Sequence, residues 1–446
     1  MQTRRQFLSA AASYAAIAQS TRRRPNIVFL LADDAGYECF GPYGSRQYST
    51  PILNKLADSG VKFTNCYSTP LCTPTRVALM TGQSNVRNYT DFGALSPGEY
   101  TFAKMFRESG YATAIAGKWQ LQGNKNAKGT TPADSGFDQW CLWNTPITRR
   151  ERYWNPALDV NGSLKPVTED DYGPDHFSGF LLDFIEKNKD RPFFAYYPMV
   201  LTHSPFLPTP LSADRASKVE QRNFEDMVAY TDKIAGRFIE RLERLKLIDN
   251  TLFVFTSDNG THHSLRSKLN GRMITGDKGA PTDAGTHVPL IVYAPGMVRG
   301  GRVSHDLIDP SDFLPTMADA IGAKVPHSID GRTFWPQLQG KEGAPRETLF
   351  TYYFPRPYAA AYDTPYQHPE VRFARDRRYK LYGDGRFYDV AADPAETRPL
   401  TPAAAAPVRV KLQATLDAMP AHGVRIPREH WERSAGAPSP RWHLLH

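Results

Sequence analysis

Apolar runs alternate with amphipathic stretches through most of the chain. The run Pro25–Ala32 is apolar almost throughout, which is typical of a strand buried on both faces of a parallel sheet. The pattern predicts further strands at 61–67, 112–116, 193–197, 251–256 and 288–294. Helical periodicity predicts helices at 51–60, 102–109, 177–187 and 224–245. This alternation predicts an α/β fold in which helices sandwich a large, mostly parallel sheet.

The pattern changes past residue 345. Short strands separated by turn residues are predicted at 347–353, 371–374, 379–382 and 386–390, and a helix is predicted at 406–419. We therefore expect a main α/β domain over residues 24–345 and a smaller C-terminal subdomain over residues 346–446, built from an antiparallel sheet and a packed helix. The tail from His430 onward contains proline and arginine, and we expect it to be irregular.

Polar residues follow several predicted strands at their carboxyl ends. Ligands of open α/β sheets bind beyond these ends, so we expect the side chains to converge on one crevice together with Cys72. The residues are Asp33, Asp34, Lys118, His203, Asp258 and Asn259.

Four of these residues offer only hard oxygen ligands, namely Asp33, Asp34, Asp258 and Asn259. Because this set contains no thiolate or imidazole, it suits Ca²⁺, with Mg²⁺ as the alternative, better than zinc. Each pair also has a plainer explanation, since Asp-Asp occurs in solvated loops and Asp-Asn-Gly in hairpin turns. Their common position at strand ends favours the metal site.

The segment Leu71–Arg76 lies between a predicted strand and a helix-like run that begins at Val77. At such a corner, free N–H groups and the positive end of the helix dipole favour a bound anion, and Arg76 adds a planar, permanently charged group. The alternative is that Cys72 is a small buried hydrophobe and that Arg76 lies on a solvated helix face.

Composition is that of an ordinary folded protein, with 446 residues of which 41% are hydrophobic. Arg4-Arg5 precede a short apolar run that ends in an Ala16–Ala18 cleavage pattern. This predicts a twin-arginine export signal at residues 1–18, the twin-arginine machinery as a partner, and a periplasmic or secreted location. Cleavage removes two positive charges and lowers the formal charge from +8 to +6. The remaining charge suits a polyanionic substrate or a solvated basic surface, and we expect neither a nucleic-acid partner nor a membrane span.

The pattern Cys72-x-Pro74-x-Arg76 resembles the signature of the formylglycine-dependent sulfatases, an arylsulfatase-like family of the alkaline phosphatase superfamily. Thr75 stands where the family's commonest form has serine. The resemblance extends over most of the chain, to Asn26–Gly36, Gly117–Trp119, Thr202-His203, Ser257–Gly260, Lys278, Gly285–Pro289, Arg375–Leu381 and Tyr388–Val390.

The resemblance implies that a formylglycine-generating enzyme oxidises Cys72 to Cα-formylglycine, leaving three cysteines and at most one disulfide. It implies that the metal is held by the modified Cys72 and the four oxygen donors. The hydrated aldehyde then attacks sulfur, while the sulfuryl oxygens are neutralised by the metal, Lys118, Lys278 and Arg76. His203 is implied to protonate the departing alcohol, and the second hydroxyl at position 72 then expels sulfate.

Gln120 departs from the family pattern, because relatives usually have a histidine there that releases the sulfated intermediate, and glutamine cannot accept a proton at neutral pH. Our hypothesis is that a nearby imidazole, of His262, His263 or His287, takes over this role. The candidate substrate-binding residues are Lys118, His203, Lys278, Gln120 and His287.

Two groups of residues are candidate substrate walls. They are Arg149–Trp154 and a C-terminal set of Arg356, Tyr358, Tyr362 and His368.

The predicted function is a sulfuric ester hydrolase that acts on a sulfated carbohydrate or an aryl sulfate. One alternative is a formylglycine phosphodiester or phosphonate monoester hydrolase, since the same crevice can stabilise a phosphoryl group. The other is a non-catalytic binder of sulfated glycans that lost intermediate release with the histidine now replaced by Gln120.

Overall fold

The computed structural model describes residues 24–148, 151–362, 364 and 366–437. The predicted export signal at residues 1–18 lies outside the described residues, as do Arg149 and Arg150 of the first candidate substrate wall. Within these described ranges, no helix is both long and apolar enough to cross a membrane.

The described residues form strands that belong to one large and two small sheets. In chain order they are β1 (Asn26–Ala32), β2 (Val61–Tyr67), β3 (Ala112–Lys118), β4 (Gln139–Trp143), β5 (Leu158–Val160), β6 (Ser163–Lys165), β7 (Phe193–Pro198), β8 (Thr251–Ser257), β9 (Arg266–Leu269), β10 (Arg272–Thr275), β11 (His287–Tyr293), β12 (Arg302–Ile308), β13 (Leu349–Tyr353), β14 (Val371–Arg375), β15 (Tyr379–Tyr382) and β16 (Phe387–Asp389).

The α-helices of the same described ranges lie between these strands and after them. They are α1 (Pro51–Ser59), α2 (Cys72–Thr81), α3 (Asn85–Asn88), α4 (Phe102–Glu108), α5 (Gly173–Lys187), α6 (Glu220–Arg244), α7 (Asp283–Thr286), α8 (Phe313–Ile321), α9 (Trp335–Leu338), α10 (Ala406–Asp417) and α11 (Arg428–Ala435).

The large sheet has the strand order β12-β2-β11-β8-β1-β7-β3-β4-β5-β6. Every residue of β1 is buried, and β1 runs parallel to both of its neighbours, with Ala32 opposite Ser257 and Leu31 opposite Pro198. Along β1, Val28 and Leu30 enter one apolar core while Phe29 and Leu31 enter the other, because successive side chains point to opposite faces. The expected large α/β sheet, covered by helices on both faces, is confirmed.

The sheet is mixed in direction. Five of its nine neighbouring pairs are parallel and four are antiparallel. The strand β11, predicted from its apolar run, is antiparallel to both β2 and β8. An apolar run is typical of parallel strands because both of their faces are buried, but an antiparallel strand covered on both faces, as β11 is, has the same pattern.

The C-terminal strands β13 to β16 form the predicted small antiparallel sheet, and Leu412 and Leu416 of α10 enter its core. The expected irregular tail is wrong for residues 430–435, which belong to α11, the helix that begins after Pro427. There Trp431 stacks on His422 at 3.8 Å between ring centroids, and this packing stabilises the short helix. The boundary at residue 345 stays a prediction.

The small sheet packs against the segment that follows Lys278. The Tyr353 hydroxyl donates to the Gly279 carbonyl at 2.9 Å, and the Arg375 guanidinium donates to Asp283 at 3.1 Å. Lys380 donates to the Pro281 carbonyl. The position of Lys278 therefore depends on both sheets. The four cysteines are all buried and free, so the structure contains no disulfide among them.

Candidate active site

The ends of two adjacent parallel strands bring the four oxygen donors together. Asp33 and Asp34 follow β1, and Asp258 and Asn259 follow β8, whose last residue lies opposite the last residue of β1. The Asp34 N–H donates to Asp258 Oδ1 at 3.2 Å, and Asn259 Nδ2 donates to Asp34 Oδ1 at 2.9 Å. All four side chains are buried.

Cys72 is the first residue of α2 and lies beside this cluster. Its Sγ and carboxylate oxygens of Asp33 and Asp258 all lie within 4.8 Å of one another. The corner before it is held by Thr75, whose hydroxyl accepts from the Thr69 N–H at 3.0 Å and lies 2.6 Å from the Thr69 hydroxyl. Cys72 is buried, but it faces charged groups and not a dry apolar core. Burial raises the pKa of its thiol.

Arg76 lies one helical turn after Cys72 and faces the same cluster. Its Nε and Nη2 both donate to Asp258 Oδ2, at 3.0 and 2.8 Å, and its Nη1 donates to the Lys118 carbonyl at 3.3 Å. Sequence reasoning assigned this guanidinium to sulfuryl oxygens. In the structure, its N–H groups hold a carboxylate and a main-chain carbonyl.

Two lysines bind the first two aspartates from opposite sides. Lys118, at the end of β3, donates to Asp33 Oδ2 at 2.8 Å, and Lys278 donates to Asp34 Oδ2 at 2.6 Å. His203 completes the group, because its Nε2 lies 3.1 Å from Lys278 Nζ and 3.7 Å from Asp34 Oδ2. Residues separated by up to 245 positions of sequence therefore surround one anionic centre.

Burial and neighbouring charges shift the proton affinities of this centre. Burial, together with the Asp33 carboxylate, raises the pKa of Asp258 to about 7, although Arg76 opposes the change. Burial is the largest single influence on Asp33 and would raise its pKa, but the neighbouring positive groups, led by Lys118, together outweigh burial and hold the pKa below its usual value. Burial lowers the pKa of His203 to about 3, so the imidazole is neutral at neutral pH.

Two buried oxygens of the cluster have no hydrogen-bond partner in the described part of the chain, namely Asp33 Oδ1 and Asn259 Oδ1. Buried acceptors are nearly always satisfied, so orphaned oxygens next to three crowded carboxylates indicate that a cation belongs there. Since the donors are carboxylate and amide oxygens, the residues fit a hard divalent cation such as Ca²⁺ or Mg²⁺.

Gln120 does face position 72, because Cys72 Sγ lies 3.5 Å from its Oε1. His287 is turned elsewhere: its Nδ1 lies 3.2 Å from Asp283 and its Nε2 2.9 Å from the Thr64 carbonyl, while Tyr37 stacks on its ring. These contacts place the His287 side chain outside the crevice, in a structural role. The neighbouring strand β2, which contains Thr64, and the preceding helix α7, which contains Asp283, decide this direction.

His262 and His263 stack on each other at 4.2 Å and lie beyond Lys278, against Tyr366. The Tyr366 hydroxyl lies 3.0 Å from His263 Nδ1, and Lys278 Nζ lies 5.5 Å from the centre of the Tyr366 ring. Sequence reasoning missed Tyr366, which carries no motif. Burial and the adjacent His263 lower the pKa of His262 to about 4, so it is a weak proton acceptor.

Of the residues in the candidate substrate walls, some contact the site and others pack elsewhere. Arg152 reaches the site, with Nη2 2.9 Å from His203 Nδ1. Arg356 lies over the Phe92 ring at 4.4 Å. Tyr362 and His368 are buried within the C-terminal part of the chain, and Tyr358 packs on His430. Those last three residues therefore pack within their own subdomain.

Comparison with known proteins decides the family. The sulfatase family model matches residues 25–323, and a model described as the C-terminal part of N-sulphoglucosamine sulphohydrolase matches residues 276–421. The chain belongs to the sulfatase family. Arylsulfatase A of Homo sapiens is 32% identical over 428 residues, covering 84% of this chain and 78% of the relative. N-acetylgalactosamine-6-sulfatase of Canis lupus familiaris is 30% identical over 368 residues, covering 73% and 68%. The prediction of a sulfuric ester hydrolase enzyme is confirmed.

Solved structures share the sulfatase fold. One, in complex with its substrate D-glucosamine-2-N,6-O-disulfate, aligns with a TM-score of 0.71 at 20% identity and covers 92% of this chain and 99% of its own. The phosphonate monoester hydrolase of Agrobacterium radiobacter aligns with a TM-score of 0.69 at 21% identity, covering 89% and 95%. At these identities the likeness shows the fold alone, so the fold does not separate sulfuryl from phosphoryl transfer.

Proposed function

We propose that this sulfatase releases sulfate from a sulfated carbohydrate, with a formylglycine diol at position 72 as the nucleophile. The observation that carries the proposal is that Cys72 Sγ and carboxylate oxygens of Asp33 and Asp258 lie within 4.8 Å of one another. Lys118 and Lys278 lie on either side of this group. The arrangement supports attack by an oxygen at position 72 on an anionic sulfuryl group held by pre-positioned cations.

A divalent cation, Ca²⁺ in our proposal and Mg²⁺ as the alternative, would be held by Asp33, Asp34, Asp258, Asn259 and the group at position 72. When bound, it supplies Lewis-acid polarisation of the sulfuryl oxygens. The unpartnered Asp33 Oδ1 and Asn259 Oδ1 support this assignment.

The chain's own residues supply the remaining chemistry. Gln120 Oε1 accepts a hydrogen bond from position 72, which would orient one hydroxyl of the diol while the other attacks sulfur. The ammonium groups of Lys118 and Lys278 offset the charge of the sulfuryl oxygens. The close contact of His203 Nε2 with Lys278 Nζ, at 3.1 Å, holds a proton between the two groups for the departing alcohol.

The second hydroxyl at position 72 then loses its proton, the carbonyl re-forms and sulfate leaves, after which water restores the diol. Gln120 cannot accept that proton. A substitute from His262 or His263 stays a hypothesis. Alanine variants of both that turn over normally, without a trapped sulfated intermediate, would exclude the pair.

A carbohydrate substrate is proposed because named relatives act on sulfated sugars, among them the N-acetylgalactosamine-6-sulfatase. We also propose that a formylglycine-generating enzyme converts Cys72. Export by the twin-arginine machinery to the periplasm or beyond is proposed from Arg4-Arg5 and the apolar run that follows.

The test combines peptide mass spectrometry over Cys72 with a sulfate-release screen on sulfated mono- and disaccharides. We expect the mass of an aldehyde in place of the thiol, and sulfate release that Cys72→Ala abolishes. Sulfate release that Cys72→Ala leaves unchanged would contradict the proposal. Phosphate diesters and phosphonate monoesters assayed with the same sample test the alternative hydrolase, and converted protein that binds sulfated glycan without releasing sulfate would show the non-catalytic binder.

A further inference from the structure

The guanidinium of Arg152 contacts His203, the residue that we propose protonates the departing alcohol. Its Nη2 is 2.9 Å from His203 Nδ1, and the group stacks on the Trp143 indole at 4.5 Å from the ring centre. Trp143 ends β4 and lies opposite Lys118 in the register of β3 and β4. Arg152 is thus held between His203 and the strand end next to Lys118, where a leaving group protonated by His203 would lie within its reach.

The backbone around Arg152 is tied to the segment that contains His203. The Tyr153 hydroxyl donates to the Val200 carbonyl at 2.7 Å, and Trp154 Nε1 donates to the Pro208 carbonyl at 2.8 Å. Gly173 approaches so closely that a Cβ there would lie 2.0 Å from the Arg152 carbonyl oxygen. The Arg152 side chain is therefore presented from a fixed support, as a recognition residue requires.

The half-buried Arg152 lacks the carboxylate partner that the fully buried arginines Arg76 and Arg375 have. Those two donate to Asp258 and Asp283 respectively. No carboxylate in the described ranges lies within 4.0 Å of the Arg152 guanidinium, and its Nε is buried without a hydrogen-bond partner. Its contacts are the neutral His203 ring, the Tyr153 ring and the Trp143 indole.

An Nε–H group that is shielded from water without a partner is unfavourable, so the site gains affinity when a ligand brings an acceptor, above all an anion, to this half-buried guanidinium. The planar group donates in pairs to carboxylates and to sulfate oxygens alike. On the far side of Lys278, the half-buried Tyr366 ring offers a flat face of the kind that packs on a sugar ring.

We propose that Arg152 is a specificity-determining residue that binds a second anionic group, a carboxylate or a second sulfate, on the saccharide leaving group. The enzyme then prefers saccharides with two anionic groups over singly sulfated saccharides and aryl sulfates. This inference rests on the proposed function and names its substrate class.

The experiment measures kcat and KM on sulfated disaccharides prepared in matched pairs. One set of pairs differs by a uronate carboxylate, and the other differs by a second sulfate; 4-nitrophenyl sulfate is the substrate without either group. The variants are Arg152→Met, Arg152→Lys and Arg215→Met. Arg215 is the matched control, because its guanidinium also stacks on a tryptophan, Trp154, at 3.9 Å, in a separate cavity.

We expect the wild type to prefer one doubly anionic partner by about 10- to 100-fold in kcat/KM, mainly through KM, as a charge-assisted hydrogen-bonded pair provides. Arg152→Met should abolish the preference, so kcat/KM for the preferred doubly anionic saccharide should fall about 10- to 100-fold further than kcat/KM for 4-nitrophenyl sulfate. Arg152→Lys should retain part of the preference for the doubly anionic partner, and Arg215→Met should retain all of that preference. A preference within the uronate pairs would identify the anion bound by Arg152 as a carboxylate, and a preference within the disulfated pairs would identify it as a sulfate.

Three results would overturn the inference: a wild type without any preference, a preference that survives Arg152→Met, or an equal loss of saccharide and aryl sulfate turnover in Arg152→Met. The last would mean that Arg152 only positions His203. If converted wild type releases sulfate from none of the substrates, the proposed function has failed. Calorimetric binding of the same pairs then decides the inference separately, by whether Arg152→Met removes a preference for the doubly anionic partner.

Discussion

The ion pair between Arg76 and Asp258 should make a large contribution to stability. Two N–H groups of Arg76 donate to one Asp258 oxygen, and the Arg76 side chain is only 2% exposed. The Arg76→Met variant keeps most of the aliphatic volume but leaves the Asp258 carboxylate without this cation. Without Arg76, Asp258 either stays charged in a poorly solvated position or takes up a proton, since its pKa is already raised to about 7. Either outcome loses the buried pair, so we expect a loss of about 3–5 kcal/mol in the free energy of unfolding.

The assay is urea denaturation followed by circular dichroism, in buffer with a chelator so that a bound divalent cation does not replace the lost guanidinium. The matched control is Arg87→Met. Arg87 makes a similar contact with Asp330, at 2.8 Å, but its side chain is 43% exposed. Because solvent screens an exposed pair, this control should lose only about 0–1 kcal/mol.

A loss below about 1 kcal/mol in Arg76→Met, or one equal to that of Arg87→Met, would refute the reasoning. It would mean that Asp258 is not held as a charged group by Arg76. An unchanged dependence of the unfolding free energy on urea concentration is needed for the comparison, because a change would indicate an altered unfolded state.

Three further outcomes follow from the site. Lys118→Met should lower kcat/KM for 4-nitrophenyl sulfate by about 10²- to 10³-fold, because it removes a cation from the site. The control Lys55→Met, at an exposed lysine, should leave kcat/KM unchanged. Similar kcat/KM values for the two variants would count against a role of Lys118 in sulfuryl binding. Chelator-treated protein should be stabilised by about 2.7 kcal/mol in thermal unfolding when Ca²⁺ or Mg²⁺ is added at about 100 times the Kd of the cation. Asn259→Leu should reduce this stabilisation, because it removes an oxygen donor. A wild type whose unfolding temperature does not change on adding the cation would argue against the cation site. Thr75→Val should lose about 1–3 kcal/mol, because the buried Thr69 N–H loses its acceptor, although the Thr69 hydroxyl keeps the Leu71 carbonyl. Thr75→Ser should stay within about 0.5 kcal/mol, and equal stability of the two variants would contradict a structural role of the hydroxyl.

Much of the architecture is readable from the order of residues. The run that becomes β1 is apolar because both of its faces are buried, and an element buried in this way must be apolar wherever it stands in the fold. The chemistry at the strand ends is readable for a related reason, since Asp33, Asp34, Asp258 and Asn259 follow such runs directly. Cys72, Pro74 and Arg76 form a local pattern, so the family could be recognised from them before any contact was known.

Contacts across the fold could not be read in that way. Arg76 was assigned to the sulfuryl oxygens of a substrate, and its contact with Asp258, 182 residues away, was not foreseen. His287 begins a strand at the edge of the site, but its ring turns to Asp283 and the Thr64 carbonyl. Tyr366 reaches Lys278 from beyond the large sheet without any motif that marks it.

The sequence by itself determined which segments are buried, which polar groups end the strands, and that a cysteine with an arginine four residues later lies at a strand-to-helix corner. Only the tertiary structure decided the direction of β11, the partner of Arg76 and the placement of Arg152 beside His203. The physical reason is that burial and helix periodicity act within one element and leave a local pattern. The direction of a side chain and the identity of its charge partner depend instead on the loops that bring distant elements together. The paths of these loops produce no periodic pattern in the sequence.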